Sequence, residues 1–155
     1  MRRRDREVVG IKEMEDIISR CQVCHLALSE LQGHPYVVAL NFGYQPGSPA
    51  VLYFHCATAG KKLDLLRANP RASFMIDREL ELIKSPMACD WGMNYESVMG
   101  TGSITIVSDP EERRRGLDLI MAHYGNDSPA YLPAQLEVTL VLKLAITEMT
   151  GKRKD

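Results

Sequence analysis

The densest run of chemically capable residues is His55-Cys56-Ala57-Thr58-Ala59-Gly60-Lys61-Lys62, which opens a short helical pattern over 60–68 (GKKLDLLRA). A helix N-terminus exposes unpaired N–H groups and a partial positive charge, so its first turn favours acidic side chains. Asp109-Pro110-Glu111-Glu112 obeys that rule and serves as an internal comparison. The helix at residue 60 instead begins with two lysines. A bound anion relieves such an arrangement, and phosphate at a helix N-terminus is the common case. Gly60 permits close approach to the backbone, and Thr58 offers a hydroxyl. Without a ligand, Lys61 and Lys62 are ordinary solvated charges, and the motif alone leaves both readings open. His55 closes a strand pattern beside this loop. An imidazole there can pass a proton to a ligand, or it can be a structural ring satisfied by backbone groups.

Cys21-Gln22-Val23-Cys24-His25 spells the haem c attachment pattern. It straddles a helix end and a strand start, where successive residues point to opposite faces, and no export signal precedes it. A zinc site needs two more close ligands, and Cys56 and Cys89 make no second pair. A thioredoxin-like pair would open a helix rather than close one. Small buried thiols are the expectation, with no metal site.

The chain has 155 residues, 45% of them apolar and 25% charged, which suits one soluble domain over 1–155. Nineteen basic residues balance twenty acidic ones, so charge gives no case for nucleic acid or an anionic membrane surface. No apolar run spans a bilayer. The charged start, Met1-Arg2-Arg3-Arg4-Asp5-Arg6-Glu7, has no apolar segment behind it. A cytoplasmic location with reduced cysteines is expected.

These residues are positioned by a pattern of short strands. Residues 12–20 read as a helix burying Met14, Ile17 and Ile18. Strands are expected at Val23–Ser29, Tyr36–Phe42, Val51–His55, Arg71–Ile76, Val98–Val107 and Val138–Met149, with turns at Gln32-Gly33 and 45–49. The glycines of Val98–Val107 mark bends or bulges. The 60–68 helix buries Leu63 and Leu66 and stops at Asn69-Pro70. A third helix starts at Asp109 and runs to about His123, with Gly125 as its stop. Residues 78–92 give no clear pattern. Six sequential strands with three inserted helices and no βαβ rhythm argue for a mainly β, antiparallel barrel. Trp91, Met93 and Tyr95 are read as packing residues or a cover for a ligand. The basic runs 2–4, 113–115 and 152–154 are read as solvated, with Arg113–Arg115 paired to Glu111 and Glu112.

Tyr53-Phe54-His55-Cys56, Lys61-Lys62 and Asn69-Pro70-Arg71, taken in order, resemble the FMN-binding split barrels of the pyridoxamine 5′-phosphate oxidase superfamily. Further pieces resemble its nitroimidazole-resistance branch: the Met1-Arg2-Arg3 and Asp5-Arg6-Glu7 start, Pro35-Tyr36-Val37-Val38, Phe42-Gly43-Tyr44, Tyr95-Glu96-Ser97-Val98 and Gly100-Thr101-Gly102.

The resemblance implies a six-stranded split barrel forming a homodimer, with FMN at the subunit interface. Lys61 and Lys62 would hold the phosphate. Val38, Ala39, Leu40 and Asn41 would line the ring, partly through backbone groups. His55, Cys56, Ala57 and Thr58 would flank the ring or ribityl chain, and Ser97 and Val98 would come from the second subunit. The implied activity is reduction of a small aromatic or nitroaromatic acceptor, with His55 as the catalytic proton donor. A flavin carrier without turnover and a non-covalent haem binder are the alternatives. Lysine stands where the oxidases place the first arginine of the basic pair, giving a point charge in place of a planar fork. The oxidases' C-terminal substrate-binding arginine pattern is missing, which argues against pyridoxamine phosphate as substrate.

Overall fold

The computed structural model describes residues 3–30 and 33–155. Gln32 of the expected turn and Arg2 of the first basic run lie outside the described residues. In chain order the elements are β1 (Glu7–Val8), α1 (Ile11–Arg20), β2 (Cys24–Leu28), β3 (Tyr36–Leu40), β4 (Gly43–Gln45), β5 (Val51–Ala57), α2 (Lys61–Ala68), β6 (Arg71–Ile83), β7 (Gly92–Ile106), α3 (Pro110–His123), α4 (Pro133–Glu137) and β8 (Thr139–Lys154).

All strand pairs are antiparallel, in the order β3-β2-β6-β7-β8-β5-β4, with β1 added on β8. Only Asn41 and Phe42 connect β3 to β4, yet these strands stand at opposite ends of that order. The three steps of chain from Leu40 to Gly43 reach about 11 Å at most. The sheet must therefore curl until its two ends face each other without bonding, which makes it a split barrel. Fully buried Phe42 plugs the seam.

The inward core includes Leu26, Leu52, Phe54, Phe74, Ile76, Val98, Leu142 and Leu144. α1 closes one end with Met14, Ile17 and Ile18, and α2 adds Leu63 and Leu66. A second cluster lies outside the barrel, where α3 packs Leu117 and Ile120 on Val51, Tyr53 and Val141. Residues 51–54 are consequently buried on both faces, which explains why the sequence there does not alternate. Asp109 caps α3, its carboxylate accepting from the Glu112 N–H at 2.7 Å.

Among the described residues eight strands stand where six were expected. β1 and β4 are too short to carry a pattern of their own. β6 and β7 run on through 78–92 as a projecting hairpin with a bulge between Glu79 and Glu81, closed by a single helical turn at Ala88–Asp90. β8 continues to Lys154, held between β1 and β7. The expected bulge near the glycines lies between Thr101 and Gly102 in the β7–β8 ladder. A Cβ at Gly100 would sit 2.8 Å from the Phe74 ring, so the close strand packing requires glycine there.

Arg153 and Arg113 are not solvated. Glu96, 3% exposed, accepts a paired contact from Arg20 (Nε–Oε1 and Nη2–Oε2 both 3.0 Å) and lies 3.1 Å from Arg78 and 3.4 Å from Arg153. This cluster ties α1, β6, β7 and β8 together. Arg113 donates to the carbonyls of Leu136, in α4, and Thr139, at the start of β8. Arg114 and Arg115 do form local pairs, with Asp118 and Glu112. Trp91 is half exposed on the hairpin, its indole N–H donating to the Ser85 carbonyl at 2.6 Å.

Candidate functional site: a cleft at the barrel seam

Among the described residues β3 pairs only with β2, so the backbone N–H and C=O groups along its other edge have no ladder partner there. A cleft of about 290 Å³ opens between the start of β3, the end of β5 and the start of α2. Tyr36, Cys56, Ala57 and residues 59–63 line it. Its floor is apolar and its rim carries the Lys61 and Lys62 ammonium groups.

The geometry of Gly60 is specific. Its φ of +133° lies in the region that favours glycine, and a Cβ built there would meet nothing within 4 Å. No side chain caps α2; the Leu63 and Asp64 N–H groups bond back to the Gly60 carbonyl, and those of Lys61 and Lys62 precede them in the first turn. Gly60 thus leaves open space over exposed helix donors, with two cations beside it. The residues present fit a phosphate-bearing ligand.

Two features depart from the sequence reading. Asp64 also lies in the first turn of α2, so the lysines do not stand there alone. Lys61 is paired with Glu30, from the β2–β3 connection, and lies 5.2 Å from the centre of the Tyr36 ring. Glu30 and Tyr36 belong to the site; Glu30 gave no sign in sequence, and Tyr36 entered only as the start of a strand and as part of the Pro35-Tyr36-Val37-Val38 piece of the resemblance. The tight pairing of Lys61 across thirty residues of chain leaves no local signal.

Of the anticipated residues, Cys56, Ala57, Lys61 and Lys62 come together in the cleft. Burial pushes the Cys56 thiol upward, while the Lys62 charge pulls the other way. Thr58 is exposed in the loop between β5 and α2. Val38 and Leu40 turn half-buried toward the core, and Ala39 and Asn41 turn outward. His55 is exposed on the face of β5 opposite Cys56, so it does not line the cleft. Ser97 and Val98 are on β7, paired with Asp77 and Ile76. Val98 is fully buried, which leaves only its backbone for a ligand.

The Cys-X-X-Cys-His run has the expected form. Cys21 and Cys24 are buried, their thiols raised by burial to about 11 and about 12, and no described cysteine is in a disulfide. His25 turns to the outer face, 3.4 Å from Asp77. Among the described residues no cluster of His, Cys, Asp and Glu is assembled for a metal, and no helix is long and apolar enough to cross a membrane.

Residues 11–153 match the pyridoxamine 5′-phosphate oxidase family, and the chain belongs to it. The fold matches a candidate 5-nitroimidazole antibiotic resistance protein of Bacteroides thetaiotaomicron at TM-score 0.83 and 31% identity, over 95% of this chain and 86% of that one. The flavocytochrome Anf3 of Azotobacter vinelandii matches at TM-score 0.81 and 18% identity, over 100% and 72% of the two chains. An FAD-binding protein of Mesorhizobium loti matches at 0.68 and 23%, over 95% and 96%. No curated protein matches the chain in sequence.

Proposed function

We propose that the chain is an FMN-dependent oxidoreductase that reduces a small nitroaromatic acceptor, acting in the cytoplasm as a homodimer. The observation that carries this reading is the placement of Lys61, Lys62 and the uncapped start of α2 at the mouth of a cleft bordered by an unpaired strand edge. The lysines and helix N–H groups take the flavin phosphate. The free edge of β3 at Val38–Asn41 supplies donors and acceptors to the polar side of the ring. Cys56, Ala57 and Leu63 give the apolar surface beneath it. The bound flavin supplies the hydride chemistry, and the chain supplies orientation and charge.

His55 has no hydrogen-bond partner among the described residues and lies one position from Cys56 at the strand end. Its ring faces away from the cleft, so in this reading it passes a proton to an acceptor that extends past the end of β5. The second copy docks on the outer sheet face beside β3, where Val37 and Met75 are exposed. Burying that face would bring Ser97 toward the partner's flavin. The candidate nitroimidazole resistance protein, at 31% identity, supports a nitroaromatic as the acceptor class.

The test is the Lys61→Ala/Lys62→Ala double variant alongside the unaltered protein. The reading expects flavin retention in the latter, with reoxidation of the reduced form by a nitroimidazole, and loss of the flavin in the former. Full retention by the double variant removes the phosphate assignment. Flavin that is retained but never reoxidised by the acceptor reduces the protein to a carrier.

A further inference from the structure

A larger groove lies on the other side of the β2–β3 connection. Its volume is about 630 Å³, within the range of small-molecule sites, and Ser29, Arg71, Ser73, Thr101, Ser103 and Thr147 line it. Ser29 on its wall is the chain neighbour of Glu30, whose carboxylate reaches Lys61 in the smaller cleft. The two cavities thus flank one connection.

Arg71 is the charged residue of this groove. Its backbone N–H donates to Asn69 Oδ1 at 3.1 Å, and it stands opposite Ser103 in the β6–β7 register, so the base of the side chain is fixed. Its guanidinium has no carboxylate or carbonyl partner among the described residues, and no acidic side chain lines the groove. The hydroxyls of Ser29, Ser73, Ser103 and Thr147 likewise have no hydrogen-bond partner there. An unpaired guanidinium among free hydroxyls is a donor set for phosphate.

Toward β8 the chemistry changes sign. Ser73 and Thr101 also line an adjoining cavity of about 280 Å³ that contains Glu148. Thr101 stands opposite Glu148 and donates to its carboxylate at 3.3 Å. A carboxylate beside a hydroxyl is an acceptor set for vicinal sugar hydroxyls. Arg71 and Glu148 stand two strand spacings and two register positions apart, about 12 Å between backbones. Their long side chains narrow that gap to the scale of one nucleoside phosphate.

We propose that this groove is a nucleotide subsite, in which Arg71 takes a phosphate and Glu148 with Thr101 takes the ribose hydroxyls. The shared chemistry is a phosphoribosyl group. It belongs either to the distal half of a flavin dinucleotide or to a nicotinamide dinucleotide that delivers electrons.

The test titrates adenosine 5′-monophosphate and ribose 5-phosphate into the purified protein by calorimetry. Saturable binding is expected, weakened at least about tenfold in Arg71→Ala and in Glu148→Gln and unchanged in Lys12→Ala, an exposed lysine of α1. Two further arms on Arg71→Ala separate the sources. Loss of flavin adenine dinucleotide with retention of the mononucleotide identifies the flavin. A rise of about tenfold in KM for the nicotinamide donor at unchanged flavin content identifies the donor. Absence of saturable binding at millimolar probe overturns the proposal, as does binding that Arg71→Ala leaves unaltered. A protein devoid of flavin would sink the oxidoreductase reading but leave this titration intact, so the two failures are distinguishable.

Discussion

Glu30 and Lys61 form an ion pair across the mouth of the α2 cleft, with the Lys61 ammonium also lying over the Tyr36 ring. The protein therefore carries its own countercharge where the proposed phosphate enters. An incoming dianion has to displace that carboxylate or share the lysine with it.

Glu30→Gln removes the competitor and keeps the shape. Lys61 is more than half exposed, so the pair is worth under about 1 kcal/mol. FMN binding is expected to tighten about two- to fivefold. Riboflavin, which has no phosphate, should show no gain. Flavin fluorescence quenching measures both, and an equal gain for the two ligands would contradict the phosphate placement.

His55 is the proposed proton donor, although it faces away from Cys56. His55→Asn is expected to keep the flavin and lower acceptor reduction by about 10²-fold. Stopped-flow reoxidation of the reduced protein reads this directly. Unchanged turnover would return His55 to the status of a surface residue.

Glu96 is the buried carboxylate that holds three arginines. Burial alone would raise its carboxyl, but the Arg20 contact and the charges of Arg78 and Arg153 outweigh it and hold the group below the ordinary carboxylate range. A carboxyl depressed in the folded state adds stability above its unfolded value, about 4.5, and loses it as pH falls through the folded value. Glu96→Gln should therefore cost about 2–3 kcal/mol near neutrality, reduced from the fully buried case because the arginines are partly exposed. The deficit should shrink as pH drops below about 4.5. Urea unfolding of both proteins at several pH values checks this, and a deficit independent of pH would contradict it.

Much of the barrel was legible because its inner face is regular. β2, β3, β5 and the first half of β6 show apolar periodicity or runs, and α3 announces its start with Asp109-Pro110. The hairpin beyond Asp77 was not legible, since it has no core to face and Arg78-Glu79 and Glu81 hide its strands. β8 beyond Met149 was missed for a similar reason. Thr150-Gly151-Lys152-Arg153-Lys154 reads as a polar tail, and pairing to β1 and β7 makes it a strand. Within the site, Lys61 and Lys62 were found through a conflict with helix electrostatics. Glu30 partly resolves that conflict, and only the folded chain brings it near. Cys56 and His55 are neighbours in sequence, but strand alternation sends them to opposite faces.

The central claim is that Lys61, Lys62 and the start of α2 hold a flavin phosphate. The most direct measurement is the absorbance spectrum of the purified protein, with mass spectrometry of the ligand it releases. The account predicts a yellow protein absorbing near about 450 nm, the flavin's own band, and a released mass equal to that of FMN. A colourless protein that takes up no flavin on incubation, or a sharp band nearer about 400 nm from haem alone, would contradict it.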